Sequence, residues 1–156
     1  MKVIFIIILF HLSLAYDNKK ASTYSKLYCK NFNPKYKSYV DKGPLCDCAN
    51  FVSQCLKEGG FDFSGCSSID EKGVIYRSID LRNCLEKKGW KKDKGSIKNF
   101  KEGYPFFMYI GPSLHSMIST IVAGNKVIYN EHKAVGRCNL AIKGSLDKYE
   151  FYYPPK

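Results

Sequence analysis

Asp47-Cys48-Ala49-Asn50-Phe51-Val52-Ser53-Gln54-Cys55-Leu56, closed by Gly59-Gly60, reads as one helix. Phe51, Val52, Cys55 and Leu56 recur at helical spacing and give it one apolar face. Asp47 has the chemistry of an N-cap, since a carboxylate accepts from the unpaired N–H groups of a first turn. Gly59 or Gly60 supplies the left-handed residue that ends a helix. Cys48 then sits at the positive end of the helix dipole, where a thiolate is stabilised. That is the position of a nucleophilic cysteine, although half of a disulfide would look the same from position alone.

Around this helix the chain divides into helices first and strands second. Asp17 to Cys29 forms a helix with Ala21, Tyr24, Leu27 and Tyr28 on one side, broken by Asn33-Pro34. A Tyr- and Lys-rich loop, 34–46, leads to the Cys48 helix, and Ser78 to Lys88 forms a further helix stopped by Gly89. Trp90 to Gly103 reads as a basic connector, with Trp90 itself a core residue. From Tyr104 the chain turns to β: strands over 105–110, 116–122, 126–130 and 149–153, with a turn at Ala123-Gly124-Asn125. Helices segregated from an antiparallel sheet make an α+β fold.

The 156 residues suffice for one domain. Met1-Lys2, the apolar run from Val3 to Phe10 and the small residues Ser13 and Ala15 read as a secretory signal peptide over 1–15. The run is too short to span a membrane, so no stable membrane insertion is expected once it is cleaved. The organisation is thus a signal peptide, 1–15, and a single domain, 16–156. It places the protein outside the cell or in the lumen of a secretory or phagosomal compartment. There are seven cysteines, at 29, 46, 48, 55, 66, 84 and 138, an odd number for an oxidising compartment. If Cys48 is the odd one, Cys29, Cys46, Cys55, Cys66, Cys84 and Cys138 remain for up to three disulfides in an order that spacing does not select. Cys55, on the buried helix face, can equally be a buried thiol. The net charge is +11, or +10 after loss of Lys2, from scattered lysines rather than a block. Such a protein is drawn to anionic surfaces such as bacterial walls, and secretion argues against nucleic acid as its partner.

Two histidines remain after the signal, His115 and His132. With Gly124-Asn125 as a two-residue turn, Met117 faces His132, and His115 lies diagonally to it on the same face, roughly 7 Å away at the backbone. A one-residue slip would separate them. A cysteine at a helix start, a histidine opening a strand and a polar group on the next strand are the parts of a thiol hydrolase. The backbone N–H of Cys48 is a candidate oxyanion donor. Tyr36, Asp47 and Asn50 are candidate substrate contacts. Zinc fits poorly, because no C-x-x-C spacing is present, and no metal or cofactor is expected.

The Asp47–Leu56 stretch resembles the D-C-[TA]-N-F-V-S-Q-C-L signature of the "putative amidase domain" family, a relative of the NlpC/P60 and CHAP cysteine peptidases. Asn33-Pro34-Lys35-Tyr36 is similar to that family's N-P-x-Y, His115-Ser116-Met117-Ile118 to its H-[SA]-x-I, and Tyr129-Asn130-Glu131-His132 to its later strand ending in histidine. Two positions depart from it: Gly103 is followed by Tyr104-Pro105 where the family has Gly-Asp, and His132 by Lys133-Ala134 where Thr-Asn is common. The resemblance implies a papain-like fold, the nucleophile helix packed on an antiparallel sheet. It implies catalytic Cys48 and His115, with His132 as third member. It also implies amide hydrolysis, with peptide or peptidoglycan fragments as substrate; a monomer is expected. The competing readings are a catalytically silent binding or toxin-like module on the same fold, with Cys48 in a disulfide, and a basic antimicrobial protein acting by charge alone.

Overall fold

Among the described residues three α-helices come first, α1 (Asn18–Tyr28), α2 (Cys48–Glu58) and α3 (Ser78–Lys87). Six strands follow: β1 (Lys91–Lys94), β2 (Pro105–Ile110), β3 (Ser113–Ala123), β4 (Lys126–His132), β5 (Gly136–Ala141) and β6 (Tyr149–Tyr153). They form one antiparallel sheet in the order β1-β6-β2-β3-β4-β5. The fold is α+β. The computed structural model describes residues 15–42 and 47–155; Cys46, and the expected signal peptide apart from Ala15, lie outside them. Among the described residues no helix is long and apolar enough to cross a membrane.

The central helix is α2. Every residue from Cys48 to Leu56 is buried, because α2 lies between α1 and the strands β3 and β4. A surface helix would show one polar face; here even Asn50, Ser53 and Gln54 are enclosed, and each spends its side chain on a protein partner. Gly59 caps the helix and Gly60, at φ +84°, turns the chain away in the left-handed region. Trp90 is core: its ring meets Tyr16, Phe61 and Tyr104 edge-on at 5.0–5.9 Å.

Two strands lie where the sequence carries no strand pattern. β1, Lys-Lys-Asp-Lys, falls in the segment read as a connector. It is an edge strand, paired only with β6, and its charges suit an unpaired edge. β5 forms the opposite edge, and Asn139 within it takes φ +56°. It is stapled to the end of α1 by the disulfide Cys29–Cys138; a second disulfide, Cys66–Cys84, ties the 61–77 loop to α3. Cys48 and Cys55 are buried and take no part in these two disulfides.

The β3–β4 hairpin departs from the expected register. Ala123 pairs with Lys126 and Val122 with Val127, as a Gly124-Asn125 turn requires. Between Ser119 and Ile121 the register shifts, with Thr120 as the extra residue of a β-bulge, so that Ile118 pairs with Asn130. Continued along the strand, that register sets Met117 opposite Glu131, not His132. Leaving one residue unpaired therefore exchanges which side chain of β4 shares a face with His115.

Gly136 marks where β5 meets α1. A Cβ there would lie 1.7 Å from the Cys29 carbonyl oxygen, so the backbones touch only because position 136 has no side chain. Gly136→Ala is therefore expected to destabilise the fold by about 1–3 kcal/mol in urea unfolding, and a change below a few tenths would show that the contact carries no constraint.

Candidate active site

Cys48 occupies the first turn of α2. The Asp47 carbonyl accepts from Phe51 N–H at 3.0 Å, the first rung of the helix, which leaves the N–H of Cys48 outside the helical ladder. Asp47 is not the expected cap: its carboxylate makes no bond to a first-turn N–H. Cys48 Sγ lies 3.2 Å from Ser78 Oγ at the start of α3. Ser116 Oγ donates to Ser78 Oγ at 2.6 Å, so the remaining Ser78 hydrogen is available to the sulfur.

His115, on β3, stands between two groups. Its Nε2 is 2.6 Å from Glu131 Oε2, and its ring lies near enough to Cys48 for the two charges to act on each other. Glu131 is itself buried and ion-pairs with Arg137 at 3.0 Å and Lys133 at 3.7 Å through Oε1. Burial opposes the charge of all three groups, and mutual interaction overrides it. Burial pushes the Cys48 thiol up, but the neighbouring His115 and its charge, with the Ser78 hydroxyl and the Ser116 N–H, hold it below an ordinary thiol. Against the same desolvation, Cys48 and Glu131 raise His115 to about 9. Glu131 stays below its usual range, its burial offset by His115, Lys133 and Arg137. The arrangement favours a thiolate–imidazolium pair steadied by a carboxylate.

His132 is elsewhere. Adjacent strand residues point to opposite faces, and with Glu131 toward His115, His132 turns the other way. Its Nδ1 is 2.9 Å from Asp47 Oδ2, and its Nε2 is 3.0 Å from the Tyr28 carbonyl and 3.2 Å from that of Cys29. Its ring stacks on Phe51 at 3.9 Å. Glu131 thus stands at the place by His115 that the hairpin count gives to His132. Asp47 and Asn50 are likewise committed inside the protein. Asp47 Oδ1 accepts from Tyr39 N–H and from Asn50 Nδ2, each at 2.9 Å, and Asn50 Nδ2 also reaches the Lys37 carbonyl. Tyr36 lies near Lys57, whose ammonium is 5.9 Å from its ring centre. Lys57 is nine residues along α2 from Cys48, about 13 Å at helical rise, so Tyr36 does not join the cysteine site.

Of the residues placed around Cys48, Glu131 lies in the Tyr129–His132 stretch read for its histidine, and is brought beside His115 by a bulge that composition does not announce. Ser78 lies 30 residues beyond Cys48, in a helix start read only as structure. Asp47 and His132 form a strut from the head of α2 to the end of β4 and to α1. His132→Leu leaves a buried carboxylate short of its partner and is expected to cost about 3 kcal/mol in chemical unfolding; an unchanged midpoint would mean the strut bears no load.

The model of the "putative amidase domain" family matches residues 15–137. No curated protein and no solved structure matches the chain. The matched segment runs from before α1 into the first residues of β5, and it includes Cys48, Ser78, His115 and Glu131; the chain belongs to the putative amidase domain family.

Proposed function

We propose that the protein is a cysteine amidase or peptidase that hydrolyses an amide bond through Cys48, His115 and Glu131. The observation that carries this reading is the buried group Cys48–His115–Glu131, in which one imidazole lies 2.6 Å from a buried carboxylate and acts electrostatically on a buried thiol at a helix start. The thiolate attacks the amide carbonyl and a C–S bond forms. The Cys48 N–H, outside the helical ladder, donates to the oxygen that becomes negative. His115, as imidazolium, gives its proton to the leaving nitrogen, the C–N bond breaks and a thioester remains. Water then adds to the thioester with its proton passing to His115. Collapse releases a carboxylic acid and restores the Cys48–His115 pair. Glu131 holds the ring in orientation and stabilises its charge throughout.

A nucleophile at a helix start, packed against a histidine-bearing antiparallel sheet, supports kinship with the papain-like NlpC/P60 and CHAP peptidases. Two disulfides support folding in an oxidising compartment after removal of a signal peptide over 1–15, leaving 16–156 as one domain. The net charge of +11, or +10 after loss of Lys2, supports work at an anionic surface, and bacterial cell-wall peptides are the substrate class that fits both.

The test is release of primary amines from purified peptidoglycan. Cys48→Ala is expected to abolish it. Turnover retained in Cys48→Ala would sink the thiol mechanism. The pH profile follows from the directions above. Cys48 keeps its thiolate below the pH at which an ordinary thiol is protonated, so the acid limb lies on the acid side of the usual thiol range. His115 loses its proton near 9, so activity falls as pH rises through that value. Glu131→Gln removes a charge that raises His115; the basic limb is expected to move to lower pH, with kcat down about 10²- to 10⁴-fold. A basic limb unmoved in Glu131→Gln would remove Glu131 from the mechanism.

A further inference from the structure

A cleft of about 420 Å³ opens between the start of α3 and the β2–β3 hairpin. Its walls include Tyr76, Ile79, Tyr109, Pro112 and Leu114. Two features connect it with the cysteine site. Ser78 lines the cleft and also lies 3.2 Å from Cys48 Sγ, and Leu114 directly precedes His115 in β3. We propose that this cleft is the specificity subsite of the amidase, and that it takes a neutral apolar side chain, up to an aromatic ring, from the residue beside the scissile amide. The proposal rests on the Cys48 hydrolase reading and extends it to substrate choice.

The charges around the cleft point to a neutral occupant. Among the described residues no carboxylate lines it, so a basic side chain finds no partner. The cation among its described lining residues, Arg77, already has Asp80 at 3.4 Å. The hydroxyl of Tyr109 is taken by Arg82 at 3.2 Å, which leaves the Tyr109 ring as an apolar wall. Ile110, Tyr109 and Pro112 are exposed on the hairpin, so apolar surface stands in solvent beside a buried nucleophile. Burial of a matching apolar group there gains hydrophobic free energy and seals the amide from water while it reacts. The size is that of an ordinary ligand pocket, and a cleft of this shape supplies orientation through area rather than through charge.

The test uses reagents that carry the side chain themselves, so it does not depend on a natural substrate. The intact protein is alkylated at neutral pH with iodoacetamide, N-benzyl iodoacetamide or N-iodoacetylglycine. Adducts at Cys48 are counted by peptide mapping, and each rate is divided by that of the same reagent with free cysteine. The benzyl reagent is expected to lead iodoacetamide by about tenfold or more, and Tyr109→Ala, an exposed position, and Ile79→Ser are each expected to bring that ratio toward one. Equal normalised rates in the natural protein overturn the subsite, as does a preference that both variants retain. A lead for N-iodoacetylglycine overturns it in favour of a carboxylate pocket at Arg77. Labelling of Cys48 by iodoacetamide no faster than in denatured protein defeats the nucleophile reading itself, a result distinct from the other three.

Discussion

The structure depends on keeping charge inside an apolar core. Cys48, His115 and Glu131 are all buried, and desolvation works against the ionised form of each. None of the three is tolerable there alone. A lone buried carboxylate takes up a proton and a lone imidazolium gives one up; together they exchange charge at hydrogen-bond distance. Arg137 and Lys133 complete the balance from the solvent side of Glu131. The surrounding architecture serves this arrangement: α2 brings the thiol to the sheet, α3 brings a hydroxyl to the thiol, and β3 and β4 set imidazole and carboxylate side by side.

A second polar group sits one residue along the chain. Asp47 and His132 neighbour Cys48 and Glu131 in sequence, yet they form a separate unit that faces α1, the Tyr39 backbone and the Phe51 ring. The two units divide the labour. One meets the Cys48 thiol; the other fixes the head of α2 against the end of β4, which sets where that thiol lies. The Cys29 carbonyl, which faces the His132 ring, also carries the close approach of Gly136, and the disulfide at Cys29 draws β5 to the same point. A single short segment of backbone thus ties together a helix, a histidine, an edge strand and a covalent bridge.

Much of the fold was legible because its signals are local. Helical apolar spacing marks α1, α2 and α3, β-branched and aromatic runs mark β2, β3, β4 and β6, and the turn at Gly124-Asn125 marks the hairpin. The strands β1 and β5 were not, because Lys91–Lys94 has no apolar alternation and β5 owes its place to pairing and a disulfide. At the site, the residues read as Cys48 and His115 are brought together in space, and both sit at element starts with their own motifs. Glu131 was hidden by the Thr120 bulge, since the hairpin count is correct from the turn to Ile121 and one residue out beyond it. Ser78 was hidden by distance along the chain. Asp47 and Asn50 have the polarity of contact residues, but burial spends that polarity on the protein's own backbone.

The bulge at Thr120 has a consequence for how this chain is compared with others. Which residue of the Glu131-His132 pair meets His115 depends on the phase of two strands, not on residue type. A chain of the same length whose β3 ran without the bulge, with Thr120 paired to Tyr129, would bring His132 to that place with its motifs unchanged. The neighbour of His115 is therefore chosen by strand pairing, and two sequences aligned perfectly on cysteine and histidine can still differ in the group beside that histidine.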